Sequence, residues 1–405
     1  VDSVNLHEMA HSYFGDLIVC RHFEHTWLKE SWAVYMETVY FEETLGRDEA
    51  DYELYSNAEA YMTEVEERYA RPIVTRVYNS SWDIFDNHTY PGGAWRIHML
   101  RRIVGDDAFW AATRDYVKTF ANRTVETADF RRKLEEHSGL NLVRFFDQWV
   151  YGKGFPKLTI EYAHDAEKSV VTLKVRQTQR DEKKGIELFE FDLGIEITDD
   201  DGARTVTVPV REELSTIVTA VKGKPSMVRI DPERRVLFRQ SFQPGDDLLK
   251  AALTGAGDVI SRIHAARELI ETGKRANLEM VREAMAKESF WGVRVAVAQL
   301  LAQSKRAEAI PVLAGMLSAE KDPKVMRYLA KAAGAMRDQS LRAALLDFLR
   351  SDPPPAAKAA ALTALGQQRD PADLALLIQA AGTGGIHNLV ASGAIGGLGQ
   401  LGRNE

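Results

Sequence analysis

The chain has 405 residues, 45% of them hydrophobic and 27% charged, with a formal net charge of −7. That composition is globular, enough for roughly two to four domains, and its mixed but acidic charge argues against a nucleic-acid-binding surface. Cys20 is the only cysteine, which excludes an internal disulfide, and no apolar run approaches the roughly 18 residues of a membrane span.

The first informative stretch is His7-Glu8-Met9-Ala10-His11. On a helix of 3.6 residues per turn, positions i and i+4 share a face, so both imidazoles can close on one zinc ion. Glu8 projects beside that face, where it can take a proton from a water. Ser3 and Asn5 are expected to cap this helix, and Leu6, Met9, Ala10, Phe14 and Leu17 to form its apolar side. Val1 is not an initiator methionine and the motif follows within a few residues, so the chain reads as an excerpt of a longer protein, with no targeting signal in view.

Residues 1–155 read as helical. Residues 26–45 carry Trp27, Leu28, Ala33, Val34, Met36, Val39 and Tyr40 at helical spacing, ended by Gly46. Further helices are expected over 48–70, 94–103, 107–120 and 142–150. Between the last two of these, Thr127 is expected to cap a helix whose Phe130, Leu134 and Leu140 face inward. Zinc hydrolases usually supply three protein ligands. Glu30, in the first turn of the second helix with eighteen residues between it and His11, is the candidate for the third. His22 and His25, three apart in a turn, read as solvated, His88 and His98 as packed or at the surface, and Cys20 as a buried apolar residue.

Gly152-Lys153-Gly154-Phe155-Pro156 breaks the helical pattern and marks a boundary. The period then changes to two: 169–176, 189–197 and 204–210 alternate, and the last two are joined by a turn at Asp199-Asp200-Asp201-Gly202. With 217–221, 227–230 and the stretch from Leu158, six or seven short strands make an antiparallel sandwich over 156–243. After Pro244-Gly245 similar helices begin near Ser261, Trp291, Pro323, Pro355 and His387, about 30 residues apart, with partner helices between them. Helix pairs at a fixed short period mean an α-solenoid of HEAT-like type over 246–405. It stops at Gly402-Arg403-Asn404-Glu405 without a polar closing helix, and so reads as incomplete.

HEMAHSYFGD followed by WLKESWA resembles the aminopeptidase N family of zinc metallopeptidases, the glutamate-type zincins. The likeness runs on through HTYPGGAWRIHMLRRIVGDDAFW, the Thr127-Ala128-Asp129-Phe130 helix start and Phe145 to Val150, ending at Gly154-Phe155-Pro156. It implies a multidomain α+β protein: a thermolysin-like helical catalytic domain (its C-terminal part, 1–155), a small β-sandwich and the solenoid. It implies His7, His11 and Glu30 as zinc ligands and Glu8 as general base. It also implies Tyr90, in Tyr90-Pro91-Gly92-Gly93, as the donor that steadies the oxyanion. Gly92 stands where the family often has lysine. Asp16 and Glu37 are candidates to orient the histidines from behind. A G-x-M-E-N strand, which in the family anchors the substrate's α-amine, does not occur in these residues and would belong to an upstream domain completing the cleft.

The function expected is zinc-dependent hydrolysis of N-terminal peptide bonds, with peptides as substrates. Two rivals stand beside it: a non-catalytic interaction protein working through its solenoid, and a related zinc hydrolase such as an epoxide hydrolase or endopeptidase. Compartment stays open, with the cytoplasm favoured.

Overall fold

The computed structural model describes residues 2–402, so the end at Arg403 to Glu405 lies outside the described residues, as does Val1. The chain divides into two compact units, Val1–Pro244 and Gly245–Glu405. The whole is a multidomain α+β protein.

The first unit opens with helix α1 (Asp2–His11), a turn and the short strand β1 (Ile18–Cys20), then α2 (Trp27–Thr44) and α3 (Arg47–Glu67). After a long connection come α4 (Gly93–Val104), α5 (Asp106–Phe120), β2 (Arg123–Val125), α6 (Thr127–Ser138) and α7 (Val143–Trp149). β1 and β2 pair in parallel. Aromatic packing fixes α1 on α2. Phe14 is buried just past α1, and its ring lies on Trp32 of α2 with centroids 4.5 Å apart and planes nearly parallel. Trp32 in turn meets Phe109 and Phe130. The chain turns toward β1 at Gly15, whose φ of +140° lies where side chains are disfavoured.

Several local expectations are corrected. Ser3 lies inside α1 rather than capping it, and its hydroxyl donates to Glu37. Met9 is 68% exposed, so it is not part of the buried side formed by Ala10 and Phe14. Thr127 is not a cap: the Asp129 carboxylate takes the Glu126 N–H at 2.8 Å, and Glu126 holds the cap position. The Thr127 hydroxyl instead accepts from Trp27 Nε1 at 2.9 Å. Leu140 is exposed, beyond the end of α6, whereas Phe130 and Leu134 are fully buried.

Residues 157–242 form two sheets. Strands β3 (Lys157–Asp165), β4 (Val170–Gln177), β5 (Phe191–Asp199), β6 (Gly202–Val210), β7 (Leu214–Ala220), β8 (Met227–Ile230) and β9 (Arg239–Phe242) are arranged β7-β4-β3-β9 and β6-β5-β8. Alternation sets the inside: Leu158 and Ile160 on β3, Val171, Leu173 and Val175 on β4, and Leu193, Ile195 and Ile197 on β5 are all buried. Asp199 pairs with Gly202 to close the expected hairpin. β9 adds a parallel edge to β3; its Arg-Gln-Ser-Phe sequence offers no apolar alternation. Ion pairs tie β9 and the connection before it to α3: Arg234 with Asp51 at 2.7 Å, and Arg239 with Glu59 and Glu66. Buried Arg96 of α4 donates to the Gly92, Trp149 and Gly154 carbonyls and the Tyr61 hydroxyl.

The second unit is a run of helices, the repeated ones being Val259–Glu271, Trp291–Ser304, Pro323–Ala333, Pro355–Gln367 and Leu389–Leu401. Partner helices alternate with them at Arg275–Met285, Ala309–Ala319, Gln339–Arg350 and Leu374–Ala381. The repeat recurs in its polar contacts too. Arg262 pairs with Glu288 and Arg294 with Glu320, each acid 26 residues on. The last two repeated helices meet through small residues: a Cβ at Gly366 would run into the Gly397 backbone.

Candidate metal centre and active site

α1 carries His7 and His11 one turn apart, with ring centroids 4.8 Å from each other. α2 packs on it so that Glu30, buried in its first turn, faces both rings. Glu30 Oε2 lies 3.4 Å from His7 Nε2 and 3.2 Å from His11 Nε2. The opposite ring nitrogens are engaged elsewhere: His7 Nδ1 with Glu37 Oε1 at 2.9 Å, His11 Nδ1 with the Phe14 carbonyl at 2.9 Å. With each Nδ1 engaged elsewhere, each Nε2 faces Glu30, and in the neutral imidazole that nitrogen carries the lone pair a metal would take. The acceptor behind His11 is thus a backbone carbonyl rather than the Asp16 carboxylate; Asp16 reaches His11 through its own N–H, which donates to the His11 carbonyl.

Two imidazole nitrogens and a carboxylate oxygen are a donor set that suits zinc. Bonds of about 2.0–2.2 Å in a tetrahedron put ligand atoms about 3.3 Å apart, close to the two separations to Glu30. The three ligating atoms all lie within 4.8 Å of one another. The group therefore fits a metal ion without rearrangement of its backbone.

The electrostatics are concentrated. Hydrogen bonds to Glu30 and Glu37 raise the His7 imidazole to about 9, and Glu30 also raises His11. Burial works to raise the Glu30 carboxyl, but His11, His7 and Lys29 outweigh it and hold it well below the usual carboxylate range. Lys29 Nζ sits 2.6 Å from the second Glu30 oxygen and 5.5 Å from the Phe85 ring centre.

Glu8 is exposed on α1. Tyr90 approaches from a π-helical turn, His88–Gly92, that leads into α4. Its ring stacks on His7 with centroids 5.9 Å apart. Burial, then the charge of Glu30 and a hydrogen bond to it, raise the Tyr90 phenol. Close packing makes the turn: a Cβ at Gly92 would lie 2.6 Å from the Tyr61 ring, and one at Gly93 would overlap the Ser31 hydroxyl. Ser31 Oγ donates to the Thr89 carbonyl at 2.6 Å. The structure thus brings His7, His11, Glu30, Glu37, Glu8 and Tyr90 to one place.

Lys29 and Ser31 escaped the sequence reading because they look like ordinary helix residues. His22 is exposed, but His25 is buried, with Nε2 3.1 Å from Glu24 and Nδ1 2.9 Å from Thr127 Oγ1, so it is a packing residue rather than a solvated one. His98 is also buried, between Tyr35 and the Arg234 carbonyl. Cys20 is half-buried.

Residues 1–149 match the Peptidase family M1 domain, and residues 246–325 and 316–399 match HEAT repeats. The chain is 26% identical over 169 residues to "Probable aminopeptidase 1" of Sulfurisphaera tokodaii, covering 41% of this chain and 22% of that protein. It is 31% identical over 172 residues to "Aminopeptidase M1-D" of Oryza sativa subsp. japonica (40% and 19%), and 24% identical over 254 residues to "Glutamyl aminopeptidase" of Sus scrofa (60% and 26%). The chain therefore spans about a quarter or less of the length of these curated relatives. Its fold is similar to that of Legionella pneumophila aminopeptidase A, solved in complex with aspartic acid, with a TM-score of 0.62 and 14% identity over 98% of this chain and 48% of that one. Residues 1–149 are a peptidase family M1 domain, that of the aminopeptidase N family, and HEAT repeats follow it.

Proposed function

We propose that this chain is a part, with the catalytic helices and a HEAT-like solenoid, of a zinc-dependent aminopeptidase that hydrolyses the N-terminal bond of peptides, on a thermolysin-like helical domain. The observation that carries the reading is the convergence of His7 Nε2, His11 Nε2 and Glu30 Oε2 within one small sphere, each imidazole backed by its own acceptor. The helical block 1–155, the strands of 156–243 and the solenoid of 246–405 are then three domains with the chemistry confined to the first.

His7, His11 and Glu30 would hold zinc, which when bound would supply Lewis acidity toward a substrate carbonyl and a water. Glu8, exposed next to His7, receives the proton of that water and passes it to the leaving amine. The Tyr90 hydroxyl donates to the carbonyl oxygen as negative charge gathers on it, an effect of about 3–4 kcal/mol for one well-placed donor. A phenol with its ordinary pKa of about 10 is already protonated at neutral pH, as a donor must be. Glu37 and the Phe14 carbonyl hold the imidazole rings. Lys29 occupies the second oxygen of Glu30 and leaves the first for the metal.

The test is zinc content by atomic absorption together with hydrolysis of aminoacyl-coumarin amides and their N-acetylated versions, on the full-length enzyme. Bound zinc with cleavage of the free-amine substrates alone supports the reading. A folded protein without zinc favours the scaffold alternative, and equal cleavage of both substrates would exclude an exopeptidase.

A further inference from the structure

Two residues before Tyr90, His88 is fully buried. Its ring is stacked on Tyr69 with centroids 5.4 Å apart and meets Tyr61 edge-on at 5.2 Å. Its Nδ1 lies 3.3 Å from Glu64 Oε2 and 3.4 Å from Asp86 Oδ2. These three residues have ligating atoms as close together as those of the first site, but a metal does not suit them. His88 Nε2 accepts the Arg71 backbone N–H at 3.3 Å. A neutral imidazole has one lone pair, so its proton is on Nδ1 and no lone pair is left there for a metal. Asp86 is moreover bonded through both oxygens to the Arg71 guanidinium.

The two carboxylates that face the His88 Nδ1–H are the ones that hold the turn. Asp86 Oδ1 accepts the N–H groups of His88 and Thr89 at 3.0 and 3.1 Å, and the Asp86 carbonyl accepts that of Tyr90 at 3.1 Å. Glu64 Oε2 accepts the Asn87 N–H at 2.7 Å. The imidazole Nδ1 thus lies between two carboxylates that both anchor the N-terminal end of the turn, 3.3 and 3.4 Å from their oxygens and without a well-aligned hydrogen bond to either.

We propose that His88 is a positioning residue for Tyr90. By placing one N–H between Asp86 and Glu64, and a flat ring between Tyr69 and Tyr61, it fixes the two anchors of the π-helical turn and so the place of the Tyr90 hydroxyl. Without that ring and its N–H, Asp86 and Glu64 keep their arginines, Arg71 and Arg68, but lose the group packed between them, the turn they anchor shifts, and the hydroxyl leaves its position over Glu30. The inference rests on the role given to Tyr90 above.

A double-mutant cycle tests it: His88→Leu, Tyr90→Phe and the double variant of the zinc-loaded full-length enzyme. The readouts are kcat and KM on an aminoacyl-coumarin amide, calorimetric affinity for a phosphinic dipeptide analogue, and zinc content. His88→Leu is expected to lower kcat and analogue affinity at least about tenfold with KM and zinc content little changed, a misplacement effect. In the Tyr90→Phe background the same change is expected to cost less than about twofold, because residues that act through one group are not additive. His88→Asn, whose amide N–H replaces the Nδ1 donor, is expected to recover much of the loss, and it carries the cycle if His88→Leu does not fold. Equal losses in both backgrounds would overturn the His88 assignment while leaving that of Tyr90 standing. No effect of Tyr90→Phe alone would overturn both.

Discussion

Ser31 Oγ donates to the Thr89 carbonyl at 2.6 Å, joining the neighbour of Glu30 to the neighbour of Tyr90. Both partners are buried, so the separation of carboxylate and phenol is set by one short bond between adjacent residues. Ser31→Ala is expected to leave the Thr89 carbonyl unpaired, at a cost of about 1–3 kcal/mol. Urea unfolding measures the loss. Turnover should fall with zinc content unchanged, and a variant with wild-type kcat would show that the tether does not set the catalytic geometry.

Glu8→Gln keeps the size of the side chain and removes its basicity. Since Glu8 is no part of the ligand trio, zinc content should stay at the wild-type level. Turnover should fall about 10²–10⁴-fold, the usual contribution of a positioned base. Near-normal activity would assign the base elsewhere.

Removing the metal with a chelator should abolish hydrolysis and lower the melting temperature, because a ligand held by the folded state stabilises that state. Zinc added back should restore both. A melt that does not move after verified loss of zinc would show that His7, His11 and Glu30 do not hold it.

Acid stability should depend on His98. Burial, and then the charge of Arg102, lower its pKa from 6.5 to about 3. Below pH 6.5 the unfolded chain binds a proton that the folded chain refuses, so stability falls as pH drops from 6.5 toward 3, by up to about 1.4 kcal/mol per unit. His98→Gln cannot titrate there. The difference in urea midpoints between wild type and variant should therefore shrink from pH 7 to pH 5, and a constant difference would rule out the linkage.

In the solenoid, Gly366→Ala should force apart the helices Pro355–Gln367 and Leu389–Leu401, since the added carbon meets the Gly397 backbone. Overpacking of this kind costs about 1–3 kcal/mol. Hydrogen exchange should report it as faster exchange in those two helices, with α1 and α2 unchanged.

The convergence of His7, His11 and Glu30 was legible because their spacing is local: one helical turn, then one short connection to the next helix. The strands were legible where one face is buried, and β9 was not, because a short polar edge strand carries no such signal. The histidines were read least well. His25 is buried by Thr127 and His98 by the Arg234 carbonyl, partners more than a hundred residues away that no local pattern announces. Thr127 was misread as a cap for the same reason, its hydroxyl being taken by Trp27. The π-helical turn, with Pro91 inside it, follows from packing on Tyr61 and Ser31, and sequence spacing gives its residues without their shape.

Arg96 has a further consequence. Its guanidinium ends on the carbonyls of Gly92, Trp149 and Gly154, so the π-helical turn and the passage from α7 into β3 share one buried cation. Neither of them can open to solvent without stranding it. The turn that carries Tyr90 and the passage from α7 into β3 should therefore exchange their amide hydrogens as one cooperative unit, with the free energy of opening the domain rather than that of a loop.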